Sequence, residues 1–484
     1  MPIEQRGVDT IPDEERTSGP RDLVSILLGS NLALGVVIFG WLPVSFGLGF
    51  WGSVSSLVAG TLVGAVLTAP LALVSLRSAT NLSTSSGAHF GVRGRLIGSV
   101  IGLLLSLGYT ALTLWVGGDA MVGCLHRLIG LPTGGASYAL VYAVLAGATA
   151  VGAVYGYRVL LRMSKVLSIG LTVLLAIGVI AYAHTFTTAP VPGTSYALGG
   201  FWPTWLLAAV SAGLSGPIAF ITLLGDYSRY ISPRRHSPKK VFAATYLGLV
   251  VGLLIPQLFG TFSALAVGAG DDYAGPLVAG APLWYLVFLL LNASAGSVGN
   301  SGLMLYSMGL DLDAILPRAT RTQATYVVAA VSTALVYAGH FLWQAQDAMT
   351  SFVLLMTAIG TPWAVITVLG FLRCRGDYDP DSLQVYNRGT RGGVYWFTAG
   401  WNVQATVAWA LGSAVGLLGV DTPLYQGPLL PHTGGIDVSF LLAAAVGGVV
   451  YFALTAGRPR PVPTLRAAPS APAAGASDTP AEVG

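Results

Sequence analysis

Trp115 and Asp119 stand four residues apart inside a long apolar run. That spacing puts them on one helix face, about one turn apart. An indole can stack on a planar ring while a carboxylate accepts hydrogen bonds from the ring's N–H groups. An acid inside an apolar span is costly and rarely faces lipid, so Asp119 is also a candidate carrier of a coupling proton. The same pair would equally suit an aromatic belt, with the acid solvated at a vestibule. Asn31, Gly35 and the backbone as far as Phe39 lie in another run, interrupted by Gly35, Gly40 and Pro43. Unwound carbonyls there can ligate a hard cation such as Na+. Glycines that only permit close packing are the alternative. Ser215, Gly216, Pro217 and Phe220 interrupt a third run. Free amides at a half-helix N-terminus favour an anionic or carbonyl oxygen, whereas a plain proline kink has no ligand. That run ends in Gly225-Asp226-Tyr227-Ser228-Arg229-Tyr230-Ile231. Asp226 and Arg229 can pair locally, act with Tyr227 as a gate or hinge, or simply anchor the helix at an interface.

The elements that hold these residues are membrane helices. The chain of 484 residues is 54% hydrophobic and 9% charged, with mean hydropathy +0.71. Soluble domains carry about 25% charged residues, so the chain is a polytopic membrane protein in contact with the lipid bilayer. Its 63 glycines suit helices that pack closely without a hydrophobic drive between them. Twelve apolar segments are long enough to span, at about 24–46, 52–75, 98–128, 138–156, 164–184, 202–225, 241–267, 283–309, 324–345, 350–372, 395–418 and 438–456. Each is expected to be helical, because a span must satisfy its own backbone hydrogen bonds.

Charge sets the orientation. With the N-terminus in the cytoplasm, only Arg127 of the 24 Lys and Arg residues falls outside. Both termini are therefore expected to be cytoplasmic, and the loop 268–282, with Asp271 and Asp272, external. The net charge of +4 follows from topology, so no nucleic-acid partner is expected. Residues 1–22 read as a cytoplasmic tail with no removed signal peptide. Residues 23–456 form the transporter domain, and 457–484, rich in Pro, Ala and Ser, a disordered cytoplasmic tail. The paired interruptions in spans one and six point to a five-plus-five inverted repeat with a midplane site. Repeat one covers about 24–184, repeat two about 202–372, and two extra helices about 395–456. Abundant arginine and scarce lysine suggest a GC-rich bacterial source, hence a bacterial inner (cell) membrane.

Other patterns carry no chemistry. Gly47 to Gly52 fits G-x-G-x-x-G, but no strand precedes it. Asn81-Leu82-Ser83 is a sequon on the cytoplasmic side, and His89 and Arg93 read as a solvated loop. Cys124 and Cys374 fall near opposite membrane faces, so no disulfide is expected. The six histidines are scattered, and no Ser/His/Asp or metal-binding constellation shares a depth.

Ile11-Pro12-x-x-Glu15-Arg16, Phe90-Gly91-x-x-Gly94, the stretch Gly225 to Ile231, and Asn300…Tyr306-Ser307-x-Gly309-Leu310 together resemble the nucleobase–cation symporter family 1, in its purine–cytosine permease branch. The resemblance covers roughly residues 11–456, and the Asp226 to Tyr230 stretch is its most specific mark. It implies broken first and sixth helices, and import of a nucleobase or related ring coupled to sodium or protons. It places a stacking aromatic and a polar side chain on span three, here Trp115 and Asp119. On span eight it implies a polar cluster, Ser297, Asn300 and Ser301, with Asn292 a turn or two earlier. Asp119 departs from the family pattern. So does span six, where Ser215-Gly216-Pro217 stands in place of a central aromatic and Phe220 follows.

The expected protein is an all-α membrane transporter of twelve transmembrane helices that imports cytosine or a purine. Symporters for allantoin, hydantoin, uracil or a thiamine-like compound are runners-up. A channel would lack saturable, cation-dependent uptake, and a membrane-embedded enzyme would need a nucleophile or metal cluster. The ring would be held by Trp115, Asp119, Asn31, Ser215, Gly216, Pro217, Phe220 and Asn300. A cation, Na+ if a metal, would sit by Gly35, Phe39, Ser297, Asn300 and Ser301. No cofactor beyond the coupling ion, and action as a monomer, are expected.

Overall fold

Backbone polar groups in lipid are satisfied only within helices or closed barrels, and this chain takes the first route. The computed structural model describes residues 7–457 except 271, 317–320, 343–344 and 423. The expected disordered tail (458 onward), Asp271 and Arg318 lie outside the described residues. Among those described, only isolated β-bridges interrupt an all-helical chain.

Helices α1 (Pro20–Asn31) and α2 (Leu34–Ser45) are halves of one span bent by 65°. Helices α3 (Phe50–Thr68) and α4 (Leu71–Ser78) are joined through Pro70. Then come α5 (Leu96–Ile129), α6 (Gly135–Val154) and α7 (Tyr157–Tyr182). The next run is in pieces: α8 (Phe201–Ala208), a π-helical stretch Ala209–Leu214, α9 (Ser215–Ile218), turns over 219–223, and α10 (Leu224–Ser228). It is followed by α11 (Pro238–Val267) and α12 (Leu283–Leu291). A second π-helical stretch, Asn292–Gly296, leads into α13 (Ser297–Ile315). The last helices are α14 (Arg321–Leu342), α15 (Ala345–Cys374), α16 (Val403–Leu418) and α17 (Ser439–Thr455). Among the described residues, eight helices are long and apolar enough to cross a membrane, or nine with the bent pair.

Burial is sorted as lipid requires. Val63, Leu140, Ile169, Ile180, Leu283 and Phe452 face outward, while Ser53, Thr61, Ser106, Thr113, Asn292 and Ser301 are buried between helices. The bent pair lies along α11, the π-helical stretch of the second interrupted run lies along α3, and α5 lies along α13.

The bend in the first span comes at Leu32–Ala33, ahead of the expected break. Gly40 and Pro43 sit inside α2. The chain unwinds where donors from another helix meet its carbonyls: Asn300 Nδ2 lies 2.7 Å from the Ser30 oxygen and Asn292 Nδ2 3.2 Å from that of Leu32. The interruption of the sixth run also extends further than expected, through the π-helical turn before Ser215 and the turns after Ile218.

The segment before α1 is not a solvated tail. Val8, Ile11 and Arg16 are buried against the end of the molecule, which we term the N-terminal face. The Arg16 guanidinium donates to the carbonyls of Leu76 (2.5 Å), Arg229 (3.0 Å) and Ile231 (2.5 Å). It thereby satisfies the open C-terminal ends of α4 and α10. Burial pushes this guanidinium down to about 10, so it keeps its charge at neutral pH. His89, expected in a solvated loop, is buried as well and lies 3.0 Å from the Tyr378 hydroxyl. Burial pushes its imidazole down to about 3. Cys124 and Cys374 are unbridged.

Candidate functional site

The two interrupted runs meet α5, α11 and α13 around one cavity. Its free volume is about 20 Å³, room for about one water molecule, so a ring would enter only as the lining side chains and helices move apart. Three aromatic residues supply flat faces: Phe39 from α2, Tyr109 from α5 and Phe220 from the turn after α9. Polar edges come from Asn31, Thr113, Gln257 and Asn300, with Gly35 and Gly216 leaving room at the two interruptions. Phe39 and Tyr109 lie with ring centres 6.0 Å apart and planes at 37°. Phe352 of α15 meets the other side of Tyr109 edge-on, at 6.0 Å and 74°.

The polar groups are held before any ligand arrives. Thr113 Oγ1 donates to Asn300 Oδ1 at 2.9 Å, and Asn300 Nδ2 donates to the Ser30 carbonyl. One asparagine thus ties α5 to the broken end of α1. Asn31 Nδ2 donates to the Leu27 carbonyl at 2.7 Å. Gln257 Nε2 donates to the Ala212 carbonyl at 3.0 Å, inside the π-helical turn, and Thr61 Oγ1 donates to its Oε1 at 3.4 Å. Gly35 is required by proximity: a Cβ there would stand 2.5 Å from Thr113 Oγ1 and 2.7 Å from the Thr113 Cα.

Asn31, Gly35, Phe39, Gly216, Phe220 and Asn300, read from the sequence, therefore line one cavity. Phe220 gives the sixth run the aromatic that its Ser-Gly-Pro stretch lacks. Ser215 and Pro217 are buried beside the wall without lining it, and the Ser215 hydroxyl bonds back to the Ser211 carbonyl. Trp115 and Asp119 are elsewhere. Trp115 packs with Val141, Tyr142 and Val336, and Asp119 accepts from the Tyr142 hydroxyl. The pair of α5 residues that does reach the cavity is Tyr109 and Thr113, with the same aromatic-then-polar spacing six residues earlier. Gln257, Leu253 and Met304 also went unread. The spacing signal was available for Tyr109 and Thr113; nothing in the sequence marks Gln257.

The residues read as cation ligands divide. Gly35, Phe39 and Asn300 line the cavity. Ser297 Oγ donates to the Thr113 carbonyl at 3.3 Å. Ser301 Oγ and Asn292 Oδ1 are buried with no hydrogen-bond partner among the described residues. Nine residues along one helical run separate the two, about 13.5 Å by helix rise, so at most one of them can join a given cation shell with the backbone freed at the bend.

Asp226, Tyr227 and Arg229 are buried at the N-terminal face and not exposed to lipid. Asp226 is hydrogen-bonded to Ser307 of α13. Arg229 donates to the Gly7 carbonyl (2.6 Å) and the Tyr306 hydroxyl (2.9 Å), and stacks on Tyr230. Tyr230 in turn stacks on Tyr157, 4.0 Å between centres. This network joins α10, α13, α7 and the N-terminal segment into one closure under the cavity.

Known proteins resemble this chain over most of its length. Residues 10–447 match the family model described as "Permease for cytosine/purines, uracil, thiamine, allantoin". The chain is 24% identical over 468 residues to the putative purine-cytosine permease YxlA of Bacillus subtilis, covering 94% of this chain and 96% of that one. It is 25% identical to the hydantoin permease of Microbacterium maritypicum, over 85% of this chain and 84% of that one. Its fold matches that of Mhp1, a nucleobase-cation-symport-1 family transporter, in a closed conformation with bromovinylhydantoin bound. The TM-score is 0.69 at 20% identity, covering 93% and 94% of the two chains.

Proposed function

The chain belongs to this family of permeases for cytosine, purines, uracil, thiamine and allantoin, and from that premise we propose that it imports a nucleobase, cytosine or a purine, by symport with Na+ or H+. The observation that carries the reading is the cavity, with aromatic faces for stacking a flat ring and fixed amides at its edges. Stacking selects planarity, while amides, each both donor and acceptor, suit the mixed N–H and C=O edge of a nucleobase. Phe39, Tyr109 and Phe220 would hold the ring faces, and Asn31, Thr113, Gln257 and Asn300 its edge. A coupling Na+, if used, would take the partnerless Ser301 hydroxyl of α13, assisted by Ser297 or Asn300, with carbonyls freed at the bend of the first span. Twelve spans in a five-plus-five inverted repeat with two extra helices, both termini cytoplasmic in a bacterial inner membrane, complete the proposal. In that orientation the closure around Arg229 is the inner gate.

Ligand-induced stabilisation of the purified protein tests the reading. A ligand at a hundredfold excess over its Kd adds about 2.7 kcal/mol to stability. Cytosine, adenine or hypoxanthine is expected to raise the unfolding temperature, and Tyr109→Ala to remove the rise. No shift with any of these, or with uracil and allantoin, would refute a nucleobase-type substrate.

A further inference from the structure

We propose that Asp119, Tyr142 and His340 form a proton-binding site, separate from the substrate cavity, near the face opposite the N-terminal segment. The three side chains come from α5, α6 and α14. The Tyr142 hydroxyl donates to Asp119 Oδ1 and lies 2.8 Å from His340 Nδ1. Imidazole and carboxylate are themselves 3.5 Å apart, with side chains 21% and 27% exposed. That is open enough for a proton and too enclosed for full hydration of a charge.

The chemistry follows from what Asp119 lacks. A carboxylate in an apolar span needs a cationic partner. Among the described residues His340 is the one basic side chain within ion-pair distance of Asp119. Its charge depends on a proton that ordinarily exchanges between pH 5 and 8. The phenol between them can donate one way and accept the other, so the proton belongs to the trio and not to one member. Asp272 acts electrostatically on the same carboxylate. On the other sides stand Tyr138, its ring 4.4 Å from that of His340, and Tyr337, edge-on to Tyr142.

Position gives the site a consequence. His340 is five residues before Ala345, where α15 begins, and α15 carries Phe352 onto Tyr109 at the cavity wall. The site thus stands one short connection away from a helix that packs on the cavity wall. The proton site stands whatever ring is carried.

Histidine NMR on the full-length protein in nanodiscs, without substrate, reads the site directly. One of the six imidazole signals is expected to titrate between pH 5 and 8, to vanish in His340→Gln, and to have its midpoint displaced by about half a pH unit or more in Asp119→Asn. A His340 signal that does not titrate in this range, or titrates identically in Asp119→Asn, overturns the proposal. If His340→Gln does not fold, Tyr142→Phe and Asp119→Asn identify the signal by its displacement. Uptake measured alongside is expected to change about threefold or more between external pH 5.5 and 7.5, and to flatten alike in His340→Gln, Asp119→Asn and the double variant. Additive effects of the two substitutions would overturn the shared site.

Discussion

Tyr109 carries the largest flat surface that α5 turns toward the cavity. Replacing it by alanine removes a stacking face worth about 0.5–1.5 kcal/mol beyond its area, so KM for uptake should rise about tenfold while Trp115→Phe leaves it nearly unchanged. Equal effects of the two substitutions would place the ring elsewhere. Asn300→Ala strips donors and acceptors from Ser30 and Thr113 together. Leaving such buried groups unpaired costs about 1–3 kcal/mol each, so this variant should unfold at lower temperature and also transport poorly. The sequence displayed the aromatic–polar motif of α5 twice, as Tyr109 with Thr113 and as Trp115 with Asp119. Six residues turn a helix by about 240°, so the two pairs look out on different neighbours. Only the packing of the other helices around α5 decides which pair meets the cavity, and that packing is not local information.

At the scale of elements, hydropathy located the eight helices long and apolar enough to cross a membrane among the described residues, because lipid imposes the same demand along every one of them. The bends followed a different rule. Gly35 and Pro43 drew attention as breakers, yet the first span opens at Leu32–Ala33 because asparagines some 260 residues away donate to its carbonyls. Gly35 serves approach instead. Gly35→Ala should force α2 away from α5, lowering thermal stability and uptake; a fully active, equally stable variant would show the contact to be slack. The polar N-terminal segment read as a tail because burial of an arginine by backbone carbonyls has no sequence signature. Arg16→Ala leaves three carbonyls without their donor, and cysteine probes placed at Met304 should then react faster from the N-terminal face. Ser232 donates to Asp13 and, with Arg234 and Arg16, holds its carboxyl below the usual range. A depressed carboxylate contributes above its unfolded value and loses that contribution as pH falls through the folded one. The small stability gap between wild type and Asp13→Asn at pH 7 should therefore close as pH drops below about 4.

The whole molecule places a cavity between two interrupted runs and three long helices, α5, α11 and α13, with a buried network on the N-terminal face and a titratable trio near the other. A channel would need a continuous path, whereas a transporter needs each closure to open in turn around a fixed site. The central claim is that this cavity carries a nucleobase uphill on a cation gradient. The most direct measurement is uptake of labelled cytosine, adenine, hypoxanthine, uracil and allantoin into proteoliposomes, with a sodium or a proton gradient imposed separately. Accumulation of cytosine or a purine above the external concentration under one gradient, lost in Tyr109→Ala, is the result expected. Equilibration without accumulation under both gradients, or no uptake of any of the five, would contradict it.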